Sequence, residues 1–257
     1  MKKAKTCLKV ESLSKDFLSE NGKVVNALDE TNIDVEENDF VCIVGPSGCG
    51  KSTLLRIIAG LEKATTGKIY HYGKELKEPT RDIGMVFQQY SLLPWRTVEE
   101  NIVLGLEFRN KSKKVKSEVA QNFLEMVDMV EFRNAYPFEL SGGMQQRVAI
   151  ARALANDPKV ILMDEPFGAL DAYTRILMQR ELLNIWEKNR KTILFITHSV
   201  DEAIYLADKI MIMSRRPGKI REVIDVDISR PRDRANSTYG KMANYILEIL
   251  EKETFND

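Results

Sequence analysis

One stretch, residues 40–55 (FVCIVGPSGCGKSTLL), constrains the fold of this chain more than any other. Apolar residues suited to a buried strand give way to a glycine-rich loop, and apolar residues resume as a helix begins. The loop fits the pattern G-x-x-x-x-G-K-[ST], with Gly45, Gly50, Lys51 and Ser52 at the fixed positions. Loops of this kind close backbone N–H groups around phosphate oxygens, and the next helix points its partly positive N-terminus at the same anion. The sequence therefore predicts a nucleotide-binding site.

The residues of this loop have distinct predicted roles. Lys51 is expected to reach the β- and γ-phosphates of ATP, and the Ser52 hydroxyl to ligate Mg²⁺. Cys49 is interpreted as a small residue that fits the loop, with a functional thiol as the alternative. The predicted nucleotide contacts in the loop are Gly45, Pro46, Ser47, Gly48, Cys49, Gly50, Lys51, Ser52 and Thr53.

Charge, cysteines and hydropathy exclude several classes of protein. Lysine plus arginine (38) balance aspartate plus glutamate (38), so no nucleic-acid partner is expected. The three cysteines match no metal-binding spacing and are interpreted as reduced thiols of a cytoplasmic protein. No apolar run approaches the roughly 18 residues of a membrane span, so any membrane association is expected to be peripheral.

Strand and helix patterns alternate along most of the chain, which predicts an α/β fold with a mostly parallel sheet. Residues 8–44 are predicted to form short strands, with a hairpin turn at Asn21-Gly22. The other predicted strands are 69–72, 83–87, 160–164, 192–197 and 210–213. The expected architecture is a P-loop NTPase core with an N-terminal antiparallel β subdomain and a helical insert subdomain.

Helical patterns fill residues 90–155 and the C-terminal tail. Capping boxes are predicted at residues 97–100 and 199–202. One helix is expected to run past Leu106, and a second over 117–130, after a solvated turn at 111–116. The second helix is expected to carry Val119, Phe123, Met126, Val127 and Val130 on one side. Helices are also predicted over 173–188 and 238–251.

Two strand ends and one helix start carry further candidate residues. Asp164 is placed to bind Mg²⁺, and Glu165 to act as general base or to orient water, rather than both being solvated carboxylates. His198 follows another strand and is a candidate γ-phosphate contact, although a lone histidine is more often structural. Ser141, Gly142 and Gly143 open a helix able to bind an anion or serve as an ordinary helix start.

In this order, the motifs resemble those of the nucleotide-binding subunit of ATP-binding-cassette (ABC) transporters, over about residues 8–225. The matching motifs are the Walker A loop at 45–53, the Q-loop at Gln88, the signature at 140–144, Walker B with Glu165, the D-loop at 168–171 and the switch His198. Gly168 stands where serine is commoner, and Met144 where glutamine is commoner.

The resemblance implies roles that the residues alone do not. It makes Gln88 a metal ligand and catalytic residue, and Asp171 a nucleotide contact. It assigns Phe17 to adenine stacking, whereas spacing alone favours a core position. It also implies ATP hydrolysis by a head-to-tail homodimer, in which Ser141 and its glycines complete the site of the other subunit. The domain then divides into a core (1–88 and 156–230), a helical subdomain (89–155) and a short helical tail (231–257).

Among the groups of this family, the sequence is similar to the nitrate/sulfonate/taurine importers. The resemblance implies separate transmembrane permease subunits, an indirect solute-binding partner outside the cell, and a peripheral position on the cytoplasmic face of the membrane. Residues 89–98 (QYSLLPWRTV), here called the docking stretch, match the surface that receives the permease. Leu92, Leu93 and Trp95 could instead pack under the helical insert, and the pair Pro94-Trp95 fits an exposed docking role equally well. The rival hypothesis is a soluble ABC ATPase, for example in cluster assembly, without a permease.

Overall fold

The computed structural model describes residues 5–255, with side chains as far as Glu253. The chain divides into two compact units. The first comprises the residues up to Thr80 and those from Lys191 onward, and the second runs from Arg81 to Arg190. The domain boundaries expected after residues 88, 155 and 230 stay a prediction.

The secondary structure alternates between strands and helices along the chain. The strands are β1 (Thr6–Leu18), β2 (Val24–Glu36), β3 (Phe40–Val44), β4 (Thr66–His71), β5 (Lys74–Glu75), β6 (Ile83–Val86), β7 (Val160–Asp164), β8 (Thr192–Thr197), β9 (Lys209–Met213) and β10 (Ile220–Asp225). The α-helices are α1 (Lys51–Ile58), α2 (Val98–Ile102), α3 (Leu104–Phe108), α4 (Lys113–Met126), α5 (Gly142–Ala155), α6 (Ala172–Lys188), α7 (Val200–Leu206) and α8 (Ser237–Phe255).

The first unit contains an antiparallel sheet in the order β2-β1-β4-β5. Its β1–β2 hairpin turns at Asn21-Gly22, as predicted, with Phe17 opposite Val25 and Gly22 at φ +73°. The two strands are 13 residues each, longer than the short strands expected, because irregularities in the pairing register let them continue past local breaks in the pattern.

The same unit contains the parallel strands that carry the phosphate loop. β3 pairs in parallel with β8 and with β9, and β10 adds an antiparallel edge to β9. Every residue of β3 and β8 is buried, as expected of central parallel strands with largely apolar sequences. Helix α7 packs on β3, and α8 packs on α7 and β9.

In the second unit, β6 pairs in parallel with β7, and α2, α4 and α6 pack against α5. The helix expected to run through Leu106 is interrupted at Val103 (φ −86°, ψ 2°), which separates α2 from α3. A small core joins them to α4 through Val103, Leu106 and Ala120.

Helix α4 departs from its prediction at both ends. It begins at Lys113, within the expected solvated turn, because Ser112 caps it by accepting the N–H of Val115. It ends at Met126, and the residues buried on its inner side are Ala120 and Leu124. Of the predicted apolar side, Val127 is buried and Val119, Phe123 and Met126 are half-buried, whereas Val130 is exposed and lies outside the helix.

Other local predictions differ in detail. Both halves of the capping box form between Thr97 and Glu100, with hydrogen bonds of 3.3 and 2.9 Å. At Ser199 the hydroxyl accepts the Glu202 N–H, which is one half of a capping box. The other half is replaced, because the Glu202 carboxylate accepts the Thr197 hydroxyl instead. Strand β6 is mostly half-buried rather than fully buried.

Candidate nucleotide-binding site

The phosphate loop leaves the C-terminal end of β3 and enters α1 directly. Gly48 (φ +73°) and Gly50 (φ +102°) adopt left-handed conformations, and Gly50 is the N-cap of α1. A Cβ atom on Gly45 would lie 2.7 Å from the Met213 carbonyl oxygen, so this position has no room for a side chain. The sequence pattern therefore reflects both backbone angles and close packing.

The ammonium group of Lys51 lies against the backbone of the phosphate loop. The side chain is only 5% exposed, and its ammonium donates hydrogen bonds of 2.9 Å to the carbonyl oxygens of Gly45 and Pro46. Ser52 and Thr53 follow in the first turn of α1, half-buried. A cation and the start of a helix thus converge on one loop, which is the arrangement expected of a phosphate site.

Cys49 lies beneath this loop rather than at its surface. The side chain is buried, with Sγ 3.8 Å from Lys51 Nζ. Burial raises the pKa of the thiol above its usual value, so the neutral form predominates at neutral pH. This environment agrees with the interpretation that Cys49 is a small residue that fits.

His198 leaves the sheet beside the phosphate loop. Val44 and Thr197 are register partners in the parallel β3–β8 pair, so Gly45 and His198 both follow at the same sheet edge. His198 is exposed. The preceding Thr197 hydroxyl donates to buried Glu202 (2.5 Å) and accepts the Ser199 N–H (3.0 Å), which fixes the backbone on both sides of the histidine.

In the second unit, Asp164, Glu165 and Gln88 lie at the same end of the paired strands β6 and β7. Val86 and Met163 are register partners, so Gln88 and the Asp164-Glu165 pair leave neighbouring strands at the same end. Asp164 is only 4% exposed. Glu165 has a left-handed backbone (φ +43°), which is uncommon for a residue with a side chain.

Gly168 packs closely against these catalytic candidates. A Cβ atom there would lie 3.4 Å from the Glu165 carbonyl oxygen and 3.9 Å from Gln88 Nε2. The Gly168 N–H donates to the same carbonyl at 3.1 Å. Gln88, Glu165 and Gly168 therefore lie in one cluster.

The signature residues open α5. The Ser141 hydroxyl is exposed and accepts the Met144 N–H at 3.3 Å. A Cβ atom on Gly143 would lie 3.0 Å from Thr174 Cγ2, so the helix start packs closely on α6. Asp171 caps α6 by accepting the N–H groups of Tyr173 and Thr174, and the Thr174 contacts hold the pKa of this carboxyl below its usual range. Asp171 therefore has a structural role as the N-cap of α6, and its nucleotide contact stays a prediction.

Phe17 lies at the exposed end of the β1–β2 hairpin. Its side chain is 38% exposed, and Lys15 Nζ lies 4.6 Å from the ring centroid. The core position favoured by spacing alone is therefore wrong, because the alternating strand places this ring on the solvent side. An accessible ring remains for the predicted stacking on adenine.

The docking stretch borders a groove of about 420 Å³ in the second unit. Trp95 is 70% exposed, and Phe138, in the groove wall, is 77% exposed. Packing of Trp95 under the helical insert, the alternative left open by the sequence, is thereby contradicted. The groove is lined by Gln88, Gln89, Tyr90, Ser91, Leu92, Pro94, Pro137, Phe138, Gln145 and Ala169.

Two residues that sequence reasoning missed hold the docking stretch. Buried Asn101 accepts the Leu93 N–H (2.8 Å), and its amide nitrogen donates to the carbonyls of Leu93, Arg96 and Thr97 at 3.0–3.2 Å. The Arg152 guanidinium donates to the carbonyl oxygens of Ser91 (2.7 Å) and Tyr90 (3.0 Å) in the same stretch. No local signal reveals Arg152, since its partners are some 60 positions away along the chain.

The chain is similar to ABC transporter proteins in sequence and structure. A family model described as ABC transporter matches residues 28–168. An uncharacterized ABC transporter ATP-binding protein of Methanocaldococcus jannaschii is 55% identical over 249 residues, which cover 97% of this chain and 93% of the relative. The aliphatic sulfonates import ATP-binding protein SsuB of Bacillus thuringiensis subsp. konkukian is 47% identical over 242 residues, which cover 94% of this chain and 95% of the relative.

A solved structure gives the same fold. The dimeric post-hydrolysis state of an ATP-binding cassette bound to ADP and Pi is 35% identical, with a TM-score of 0.76, and the match covers 86% of this chain and 100% of that one. This similarity confirms the predicted α/β fold class. Among residues 5–255, none of the helices has the length and hydropathy needed to cross a membrane.

Proposed function

Because the chain belongs to the ABC transporter family, as an ATP-binding and ATP-hydrolysing subunit, we propose that it energises an importer of a small solute. The observation that carries this proposal is the exposed apolar groove bordered by the docking stretch, whose lining includes the catalytic candidate Gln88. A partner seated there would contact a residue of the ATPase site directly.

The proposed ATPase site combines phosphate binding with water activation. Lys51 and the N-terminus of α1 bind the phosphates, and Phe17 stacks on the adenine. Glu165 orients or deprotonates the attacking water, assisted by Gln88, and His198 contacts the γ-phosphate. The support for this assignment is the clustering of Gln88, Glu165 and Gly168 in one unit, and of His198 and the phosphate loop at one sheet edge in the other.

Ser52, Gln88 and Asp164 are the proposed Mg²⁺ ligands. Hydroxyl, amide and carboxylate oxygens are the hard donors that this ion prefers, and Asp164 offers a carboxylate shielded from bulk solvent at the end of β7. When bound, the ion neutralises charge on the β- and γ-phosphates.

A homodimer is the proposed working state. Exposed Ser141 caps the start of a 14-residue helix, which Gly142 and Gly143 begin, and this helix start is suited to a second anion contact. Asp171 lies at the start of the neighbouring helix α6. Head-to-tail pairing would place these groups on the nucleotide of the partner, and the similarity to a dimeric ATP-binding cassette bound to ADP and Pi supports a dimer.

The proposed solutes are nitrate, sulfonates such as taurine, or similar small solutes, and the 47% identity to an aliphatic sulfonate import subunit supports the sulfonate class. In this model two copies bind the cytoplasmic side of separate permease subunits, which receive solute from a binding protein outside the cell. The subunit is thus peripheral to the membrane.

Solute uptake in the source organism tests the proposal. Deleting the gene should abolish ATP-dependent uptake of labelled sulfonate or nitrate. The wild-type gene should restore it and Glu165→Gln should not. Unchanged uptake of every tested solute, together with an intact ATPase bound only to soluble proteins, would favour the soluble ATPase instead.

A further inference from the structure

The short helix α7 directly follows His198, the candidate γ-phosphate contact. Ser199 caps the helix, which ends at Leu206 after seven residues. An isolated helix shorter than about 12 residues is marginal in water, so contacts with the rest of the fold decide where α7 lies. Its inner side packs on β3 and β8. The remaining contacts come from the C-terminal part of the chain.

Arg232 holds the C-terminal end of α7. Its side chain is buried, and the guanidinium donates to the carbonyl oxygens of Ile204 and Ala207, both at 2.6 Å. It also donates to the Ile228 carbonyl at 2.9 Å, which joins the helix end to the chain that leaves the sheet. A cation here satisfies the last carbonyls of the helix and interacts favourably with its partly negative end. Arg232 therefore fixes the end of α7 that is farther from His198.

Three side chains, Asp201, Arg234 and Tyr239, hold the first turn of α7, and we call them the helix clamp. The Asp201 carboxylate accepts Nε (2.8 Å) and Nη2 (3.0 Å) of Arg234, a two-point contact that fixes both groups. The hydroxyl of buried Tyr239, on α8, donates to the same carboxylate at 2.7 Å. Burial and this carboxylate raise the pKa of Tyr239, so the hydroxyl keeps its proton at neutral pH. The helix clamp thus joins α8 to the start of α7.

The first turn of α7 is bonded to the residues on both sides of His198. Buried Glu202, the residue after Asp201, accepts the Thr197 hydroxyl at 2.5 Å. Its N–H donates to the Ser199 hydroxyl at 3.3 Å. A displacement of this turn would therefore move the backbone of the histidine.

We propose that Arg234 and Tyr239 are positioning residues for His198, acting through Asp201 and the first turn of α7. The inference rests on the proposed function, in which His198 contacts the γ-phosphate. The phosphate loop and Phe17 hold the rest of the nucleotide in that proposal. Loss of a contact in the helix clamp should therefore slow hydrolysis more than it weakens ATP binding.

Steady-state ATP hydrolysis by the full chain tests the proposal with Tyr239→Phe, which removes only a hydroxyl. We expect kcat to fall about three- to tenfold, as for one lost hydrogen bond, and KM for ATP to stay within about twofold. Tyr245→Phe is the matched control. It removes a hydroxyl from the same helix, whose partner is Glu222 of β10 at 2.5 Å, and should change neither constant. Equal kcat values for the two variants would overturn the inference.

A double-mutant cycle separates positioning from general destabilisation. In a His198→Ala background, Tyr239→Phe should cause almost no further decrease in kcat, because the histidine through which it acts is gone. The same decrease in both backgrounds would overturn the inference. A fully active His198→Ala variant would instead remove the γ-phosphate role of His198 from the proposed function, and this inference with it.

The histidine can also be observed without hydrolysis. The chain has two histidines, so the untagged protein labelled with [13C]histidine gives one set of ring signals for His71 and one for His198. His198→Gln identifies the second set. We expect Tyr239→Phe to shift the His198 signals and Tyr245→Phe to leave them in place. Unshifted His198 signals in Tyr239→Phe would overturn the positioning role while leaving the proposed function intact.

Discussion

The phosphate loop and the docking stretch are held in place in opposite ways. The phosphate loop lies between a fully buried strand, β3, and a largely buried helix, α1, and its glycines allow close backbone packing. The docking stretch instead exposes Trp95 and is fixed from below by side chains of distant residues, Asn101 and Arg152. The first region is built around a ligand, and the second presents apolar surface outward.

This difference distinguishes the region for nucleotide chemistry from the region for partner binding. A polar network that fixes the backbone of an exposed apolar segment costs side-chain freedom without burying the apolar surface, which is reasonable where a partner covers that surface. We therefore expect variants of the phosphate loop to change nucleotide chemistry, and variants of the docking stretch to change partner binding. The following variants are designed to break or sharpen that distinction.

Glu165→Gln should have the largest effect. Loss of the carboxylate should lower the ATP hydrolysis rate by about 10²-fold or more while leaving ATP binding intact, because the phosphate loop is untouched. Sedimentation should then show a dimer accumulating in saturating ATP. Glu187→Gln, at an exposed position in the same unit, is the control and should be fully active. A fully active Glu165→Gln variant, or one still monomeric in ATP, would remove Glu165 from the site.

Two glycine variants compare packing and backbone strain within the phosphate loop. Gly45→Ala places a methyl group 2.7 Å from the Met213 carbonyl oxygen, and should cost about 1–3 kcal/mol in unfolding free energy and weaken ATP binding. Gly48→Ala meets no atom within 4 Å, so only its left-handed backbone matters, at about 1 kcal/mol. Urea unfolding and ATP titration measure both. Equal effects would show that packing against Met213 does not shape the loop.

Asn101→Ala should disrupt the docking stretch. The substitution leaves partly buried backbone groups of residues 93–97 without their side-chain partner, and should cost about 1–2 kcal/mol in unfolding free energy. ATP binding should change little, since the phosphate loop belongs to the other unit. Asn122→Ala, exposed on α4, is the matched control. A loss of ATP affinity equal to that of Gly45→Ala would contradict the separation of the two regions.

The Cys49 thiol should give the smallest effect. Its folded-state pKa is raised by burial, so its contribution to stability is complete below the unfolded value of 9.0 and is lost as the pH rises through the folded value. Urea midpoints of the wild type and of Cys49→Ser should therefore differ by a constant amount between pH 6 and 8. Above about pH 9 the wild type should lose stability relative to the variant. A wild type that gains relative stability over that range would mean that the thiol is not desolvated.

The sequence predicted well what depends on local pattern. The phosphate loop, the buried strands β7 and β8 and the Thr97 cap follow from neighbouring residues, and all lie where expected. The break at Val103 and the start of α4 at Lys113 were missed. Helical periodicity does not reveal where a helix is capped or interrupted, and in the insert local caps and contacts decide these positions. Asn101 and Arg152 were missed for another reason. Their roles depend on partners that only the fold brings near.

The sequence determined the roles of single side chains less well than those of motifs. Phe17 fitted either a core or an exposed ring by spacing, and the hairpin geometry decides for exposure. Glu202 looked like half of a capping box, yet its carboxylate accepts the Thr197 hydroxyl beside His198. Such choices depend on which hydrogen-bond partner lies nearer in the folded chain, and no sequence period contains that information.

The most direct test of the account is gentle purification of the tagged chain from membranes of its own source. Wild type is compared with Trp95→Ala/Phe138→Ala, which removes one exposed aromatic side chain of the docking stretch and one of the groove wall. We predict that wild type retains a multi-span membrane protein encoded beside a solute-binding protein, and that the double variant loses it while its basal ATPase rate is unchanged. Retention of the same partner by both proteins, or of soluble partners alone, would contradict the proposal that this surface couples ATP hydrolysis to a permease.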